Sequence, residues 1–291
     1  MAIKEIQAKV LLAHVKQPDP WFGLRYNMNL YRGCRHRCIY CDSRSECYQI
    51  EHFDREVLVK ANAIELLQKE LARKRVVGTI GLGSMNDPYM PLEAEVNLTG
   101  RALQVIARFG FPVHVITKSD LVLKDLDTLC EINRTYAAVS LTVTTADDTL
   151  AKKVEPGAPL VSQRLKAMQV LAAHGIHTGI VMMPVLPFVE DTEDNVAAIV
   201  RQAHKHGAAY IVPSFGVTLR DRQRAYYYDR LDESFPGLRQ RYERAYGNQY
   251  YCPVPDADRL AKVFYELCSR YSIATRITPY QPDAAKQLSL F

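Results

Sequence analysis

The sequence lacks the features of a secreted or membrane protein. No run of about 18 apolar residues occurs, the length that a membrane-spanning helix needs. Residues 1–7, MAIKEIQ, contain no long apolar segment of the kind found in a signal peptide. The seven cysteines are an odd number in a chain of 291 residues, whereas a disulfide scaffold is shorter and secreted. We therefore expect a cytoplasmic enzyme with neither a membrane partner nor a disulfide framework.

The net charge and the length of the chain exclude few classes of function. A net charge of +5 permits binding to a polyanion but does not demand it. A hydrophobic content of 48% is enough for a large core, and the length allows one barrel-sized domain or two smaller ones. The function must therefore be sought in the motifs.

Three cysteines, Cys34, Cys38 and Cys41, lie within residues 31–41, YRGCRHRCIYC. Three thiolates this close suit one corner of a metal centre. A four-iron cluster normally takes four cysteines, one per iron, so three would leave one iron open to a small molecule. A structural zinc site is the alternative, although this spacing fits zinc fingers poorly. Its fourth ligand would come from His36, Asp42 or Cys47.

The Cys-x3-Cys-x-aromatic-Cys pattern, with Tyr40 as the aromatic residue, resembles the signature of the radical S-adenosylmethionine (SAM) superfamily. Residues 29–34, NLYRGC, and 86–89, NDPY, are similar to its spore photoproduct lyase-like branch. The resemblance runs from about residue 27 to residue 213. It implies a [4Fe–4S] cluster whose open iron binds SAM, reductive cleavage to a 5′-deoxyadenosyl radical, and an electron donor such as flavodoxin or ferredoxin.

Apolar strands alternate with amphipathic helices along the chain. Six strands separated by helices predict a parallel sheet of the α/β class, either an open layer or a curved partial barrel. The resemblance favours a partial (β/α)6 TIM-type barrel with a C-terminal helical cap. We expect the barrel and an N-terminal extension in residues 1–215, the cap in 216–281 and a flexible tail in 282–291. Residues 56–73 are predicted to form one helix.

The chemistry of such a sheet lies at the C-terminal ends of its strands. Ser84, Asn86 and Asp87 follow the second predicted strand. In relatives this position receives the amino group of SAM, which needs acceptors. The alternative is an ordinary Asn-Asp-Pro turn.

Three further residues acquire cofactor roles from the resemblance. It implies that Lys118 and Ser140 contact the SAM carboxylate and ribose and that Tyr40 lies near the adenine. The alternatives are a solvated strand end for Lys118, a buried hydroxyl for Ser140 and a core aromatic for Tyr40. Glu155 begins a segment of a kind that often positions SAM or substrate in the superfamily, and Arg164 lies inside the helix that follows. The alternative is a rigid turn and a helix-surface arginine.

One residue departs from the pattern of the photoproduct lyases. Photoproduct lyases use a cysteine at the end of the second strand to return a hydrogen atom, and Ser84 stands at that position here. A serine O–H bond is too strong to replace it, which puts the photoproduct reaction itself in doubt. Cys47 is the replacement that we predict, and a small buried hydrophobic residue is its alternative role.

The C-terminal part, residues 220–280, is rich in tyrosine and arginine. These residue types bind nucleic acid by phosphate pairing and base stacking, although a helical cap with half-buried tyrosines is the alternative. The last five residues, QLSLF, resemble the pentapeptide by which bacterial repair proteins bind the DNA sliding clamp. Its binding residues would be Gln287, Leu288, Leu290 and Phe291, unless the tail packs on its own barrel.

The sequence therefore favours a radical SAM enzyme that acts on nucleic acid, such as a DNA lesion, with DNA and the sliding clamp as partners. A radical SAM enzyme with a small-molecule or protein substrate is one alternative. A non-catalytic iron–sulfur or zinc protein that binds nucleic acid is the other.

Overall fold

The computed structural model describes residues 2–17, 20–53 and 55–282. Its strands are β1 (Ala2–Ile6), β2 (Leu12–His14), β3 (Tyr26–Met28), β4 (Tyr31–Arg32), β5 (Glu56–Lys60), β6 (Ile80–Leu82), β7 (Val113–Thr117), β8 (Ala137–Thr142), β9 (His177–Met182), β10 (Tyr210–Pro213), β11 (Gly216–Thr218) and β12 (Tyr251–Pro253). Its α-helices are α1 (Ala63–Ala72), α2 (Glu93–Val96), α3 (Leu98–Arg108), α4 (Leu126–Ile132), α5 (Asp148–Val154), α6 (Val161–Ala173), α7 (Glu193–Lys205), α8 (Asp221–Ser234), α9 (Leu238–Tyr246) and α10 (Ala257–Arg270).

A seven-stranded sheet in the order β10-β9-β8-β7-β6-β3-β2 forms the centre of the molecule. Six of these strands run parallel, and only β2 pairs antiparallel, with β3. Each parallel neighbour requires a crossover, which the intervening helices provide. Strand β8 is buried at all six positions because both of its faces are covered. The predicted α/β fold with a partial barrel is confirmed.

The prediction of one helix over residues 56–73 is wrong in its first part. Residues 56–60, EVLVK, form β5, which pairs parallel with β1 and antiparallel with β4. Val57 and Val59 are buried and alternate with partly exposed neighbours, which is the period of a strand. Helix α1 begins only at Ala63.

The C-terminal helices α8 and α9 share a buried aromatic cluster of their own. Tyr227 and Tyr242 are fully buried, and their hydroxyls lie 2.8 Å apart. The same apolar cluster includes Cys38, Ile39 and Tyr40, so the cap packs directly on the cysteine loop. The interpretation of these tyrosines as half-buried is therefore wrong for this pair, since packing removes them from solvent.

No helix in residues 2–17, 20–53 and 55–282 has the length and apolar character needed to cross a bilayer. The predicted clamp-binding residues Gln287, Leu288, Leu290 and Phe291 lie outside the described residues.

Candidate active site

One cavity of about 470 Å³ opens at the C-terminal edge of the parallel sheet. Five adjacent strands contribute residues at or just after their ends: Ser84 from β6, Lys118 from β7, Thr142 from β8, Met183 from β9 and Ser214 from β10. The C-terminal ends of parallel strands meet at one edge, which explains why residues so distant in sequence share this space.

The three cysteines of the loop also line this cavity. Cys34, Cys38 and Cys41 are free thiols, and the first two are 7% exposed. Burial raises the pKa of all three, that of Cys34 to about 12, so three thiolates here require a cationic group to replace their protons. Within the part of the chain that the structure describes, no three His, Cys, Asp or Glu side chains are arranged around a single ion. A four-iron cluster instead takes one cysteine per iron, which suits three thiols around a common space.

The last residue of α5 and the segment after it hold the cysteine loop in place. The Ile39 amide donates to the Val154 carbonyl at 2.9 Å, and the Gly157 amide donates to the His36 carbonyl at 2.8 Å. A Cβ atom at Gly157 would lie 2.3 Å from the Arg35 carbonyl oxygen, so only glycine permits this approach. Backbone hydrogen bonds to residues 154–157 therefore hold the cysteine loop, and no sequence pattern predicts these bonds.

Asp87 lies beneath the loop with both carboxylate oxygens engaged. Oδ1 accepts from the Tyr89 amide at 2.8 Å and the Thr117 hydroxyl at 2.6 Å, and Oδ2 accepts from the Lys118 amide at 2.6 Å. His36 Nε2 lies 3.1 Å from Oδ2. Burial alone would raise the pKa of Asp87, but His36 and these donors lower it to about 2.

The bond from the Tyr89 amide closes an Asx turn, so the turn interpretation of this segment is confirmed. Asn86 lines the cavity, is 6% exposed, and has a buried Oδ1 with no hydrogen-bond partner among the described residues. An unpaired buried acceptor is costly, and an ammonium group would satisfy it. The Asn86 carbonyl oxygen is therefore an acceptor that fits the amino group of SAM, and the corresponding role of Asp87 stays a prediction.

Ser84 stands in the cavity wall beside Asn27. Its hydroxyl donates to Asn27 Oδ1 at 3.0 Å, and Asn27 Nδ2 donates to the Ser84 hydroxyl oxygen at 2.9 Å. Both residues line the cavity, so they offer amide and hydroxyl groups to a ligand there. The cofactor role of Ser84 stays a prediction.

A buried ion-pair network joins the cysteine loop to the sheet. Tyr40 donates its hydroxyl to Glu155, Arg164 Nη1 lies 2.6 Å from Glu155 Oε2, and Lys118 Nζ lies 3.8 Å from Oε1. Arg164 is fully buried, so the alternative of a helix-surface arginine is wrong. The alternative of a solvated strand end is wrong for Lys118, whose side chain is 17% exposed. Tyr40 and Lys118 line the cavity, where their predicted cofactor contacts would lie.

Ser140 lies deeper in the barrel, beside the cavity. It is fully buried, and its hydroxyl lies 2.8 Å from His114 Nε2 and 2.7 Å from the Tyr210 hydroxyl. Burial lowers the pKa of His114 to about 3, which keeps the ring neutral. His114 lines the cavity, so Ser140 reaches the cavity wall through that ring. The SAM contact implied for Ser140 stays a prediction.

Cys47 is exposed, so the alternative of a small buried hydrophobic residue is wrong. Its neighbour Tyr48 lines the cavity and donates its hydroxyl to Asp42 at 3.0 Å. Arg220 of the cap binds the same carboxylate at 2.6 Å. The cap is thus ion-paired to the segment that follows the cysteines. The hydrogen-donor role of Cys47 stays a prediction.

The model of the radical SAM superfamily matches residues 28–203, more than half of the chain. The chain therefore belongs to the radical SAM superfamily and is a radical SAM enzyme. Membership implies a [4Fe–4S] cluster and SAM. An uncharacterized protein of Mycobacterium tuberculosis is 29% identical over 273 residues, 91% of this chain and 79% of that protein. One of Methanocaldococcus jannaschii is 32% identical over 193 residues, 66% of this chain and 70% of that protein.

The fold is similar to that of spore photoproduct lyase. A structure of that enzyme with bound AdoMet and dinucleoside spore photoproduct has a TM-score of 0.71 at 14% identity, covering 95% of this chain and 82% of the lyase. The radical SAM Nα-GlyT isomerase of Pseudomonas phage M6 is 23% identical over 159 residues, 55% of this chain and 32% of that protein. These likenesses place the fold, and the substrate must be argued from the site.

Proposed function

We propose that this radical SAM enzyme acts on a base in nucleic acid, such as a DNA lesion. The observation that carries the proposal is the wall of the cavity, which presents aromatic rings beside the cysteine loop. Phe22, Tyr48 and Tyr251 line the same space as Cys34 and Cys41. Aromatic side chains stack on bases, and stacking is worth about 1–3 kcal/mol per base.

The cysteines Cys34, Cys38 and Cys41 would hold the cluster, and Asn86 and Lys118 would receive the amino and carboxylate groups of SAM. When bound, the cluster and SAM supply a 5′-deoxyadenosyl radical that removes a hydrogen atom from substrate. The protein residues orient the bound groups and keep solvent away. Lys118 suits the carboxylate because its charge faces the cavity while Glu155, behind it, favours the ammonium form.

Three observations support a nucleic-acid substrate. The structure with a TM-score of 0.71 contains a dinucleoside photoproduct bound to the lyase. Tyr251 is 45% exposed, so its ring is accessible to an incoming base. The net charge of +5 also favours a polyanionic substrate.

The decisive experiment is anaerobic reconstitution with iron and sulfide, followed by reaction with SAM and dithionite. We expect an iron-dependent release of 5′-deoxyadenosine that rises when ultraviolet-irradiated DNA is added. Cys38→Ala should abolish it, whereas Cys268→Ala, at a buried cysteine in α10, should not. Stimulation by a peptide or a small molecule but not by DNA would refute the nucleic-acid substrate. No iron uptake and no 5′-deoxyadenosine would instead favour a non-catalytic role.

The aromatic wall has its own test. Tyr251→Ala should raise the KM for DNA about 5- to 150-fold, the equivalent of about 1–3 kcal/mol of stacking. Tyr265→Ala is the matched control because Tyr265 is 52% exposed on α10, away from the cavity. Equal KM values for the two variants would contradict base stacking at Tyr251.

A further inference from the structure

The carboxylate of Glu155 lies at the centre of the network behind the cavity. It is 1% exposed, and its two oxygens face a tyrosine hydroxyl and two cations. A buried carboxylate remains ionised only when it is paired and hydrogen-bonded. Burial alone would raise the pKa of Glu155, but Arg164 and Lys118 lower it, so the group carries a fixed negative charge.

Arg164 serves this carboxylate and offers nothing to a ligand. Its Nη1 binds Glu155 at 2.6 Å and the Thr142 carbonyl at 3.0 Å. Its Nε and Nη2 both donate to the Pro159 carbonyl, at 3.0 and 2.8 Å. With every nitrogen engaged and the side chain fully buried, Arg164 is a counter-ion that holds Glu155 in position.

The other two partners of Glu155 face the cavity. Tyr40 belongs to the cysteine loop, between Cys38 and Cys41, and donates its hydroxyl to the carboxylate. Lys118 follows β7, and its ammonium lies 3.8 Å from Glu155, beyond hydrogen-bond length. Its donors therefore remain available to a second anion in the cavity, while the carboxylate attracts the ammonium group.

We infer that Glu155 is a positioning residue for the cofactor site. It fixes Tyr40 of the cysteine loop and Lys118 of the sheet in one arrangement facing the space where SAM would bind. It also places one negative charge behind the loop. The inference concerns the cofactor and does not depend on the proposed nucleic-acid substrate.

The test is SAM affinity, measured on reconstituted enzyme without nucleic acid by equilibrium dialysis and by the EPR spectrum of the reduced cluster. Glu155→Gln should weaken SAM binding about 10- to 100-fold, the usual effect of removing a partner of a cofactor ligand. Tyr40→Phe, which removes only the hydroxyl, should weaken it less. The midpoint potential of the cluster should become more positive in Glu155→Gln because one nearby negative charge is lost.

Glu155→Gln leaves Arg164 buried without its counter-ion and could unfold the chain. The double variant Glu155→Gln/Arg164→Met removes both charges together, which proteins tolerate better. Tyr227→Phe is the control for Tyr40→Phe, since it removes a buried hydroxyl bonded to Tyr242 in the cap. An unchanged SAM affinity in a folded, iron-loaded double variant would overturn the inference. Failure of the DNA assay alone would not contradict the role inferred for Glu155.

Discussion

Gly157 is a small residue that lies against the cysteine loop proposed to hold the cluster. A Cβ atom there would lie 2.3 Å from the Arg35 carbonyl oxygen and 2.9 Å from that of His36. To reach ordinary contact distance, the cysteine loop must retreat by about 1 Å. The same movement stretches the 2.8 Å bond from the Gly157 amide to the His36 carbonyl. Gly157→Ala should therefore displace the loop that carries the cysteines.

The expected loss of stability is about 1–3 kcal/mol, as for other overpacked sites. The functional loss should be larger, because a displacement of about 1 Å can lower the rate about 100-fold at a catalytic site. Urea unfolding measures the first quantity. Iron content after anaerobic reconstitution and release of 5′-deoxyadenosine measure the second.

Gly175→Ala provides the matched control. Gly175 has φ +75°, and a Cβ atom there would meet nothing within 4 Å. The left-handed backbone alone should make this variant less stable by about 1–2 kcal/mol, without moving the cysteine loop. A Gly157→Ala enzyme that binds as much iron and releases as much 5′-deoxyadenosine as Gly175→Ala would refute the reasoning.

Three further predictions concern other parts of the chain. Burial raises the pKa of Glu190 to about 8, so the wild type should lose up to about 1.4 kcal/mol of stability per pH unit, relative to Glu190→Gln, between about pH 5 and pH 8. If the free energy of unfolding, measured with urea, had the same pH dependence in the two proteins over this range, the prediction would be contradicted. Ser140→Ala leaves two buried partners unpaired and should lower stability by about 1–3 kcal/mol; SAM affinity in the same variant tests the implied contact. Leu290→Ala/Phe291→Ala should abolish capture by the sliding clamp in a pulldown, and capture equal to that of the wild type would end the clamp hypothesis.

The cysteine motif could be recognised from the sequence because its residues are local. Cys34, Cys38 and Cys41 lie within eight positions, and their spacing carries the chemistry without reference to the fold. The alternation of strands and helices could also be predicted, since strands and helices differ in the period of their hydrophobic residues. The helix prediction is wrong at residues 56–60 because the short strand there lies only two residues before a helix. The apolar residues of the two elements then form one continuous pattern in the sequence.

Interactions between residues far apart in the sequence could not be predicted from local patterns. Glu155 and Tyr40 are 115 positions apart, and nothing in either segment predicts their bond. The sequence leaves a surface position open for Arg164, because its helix pattern does not show the Glu155 carboxylate that neutralises it. Asp87 likewise resembled a free ligand, although Thr117 and the Lys118 amide occupy its oxygens.

The sequence by itself determined the candidate metal ligands, because thiolate number and spacing are local properties of the chain, and the resemblance to a known family implied the cofactor. The sequence also determined the class of fold, because hydrophobic periodicity is local to each element. Only the tertiary structure decided which polar groups remain available in the cavity and which are engaged by other protein groups. That distinction depends on burial and on partners brought together by the sheet, and neither exists until the strands have paired.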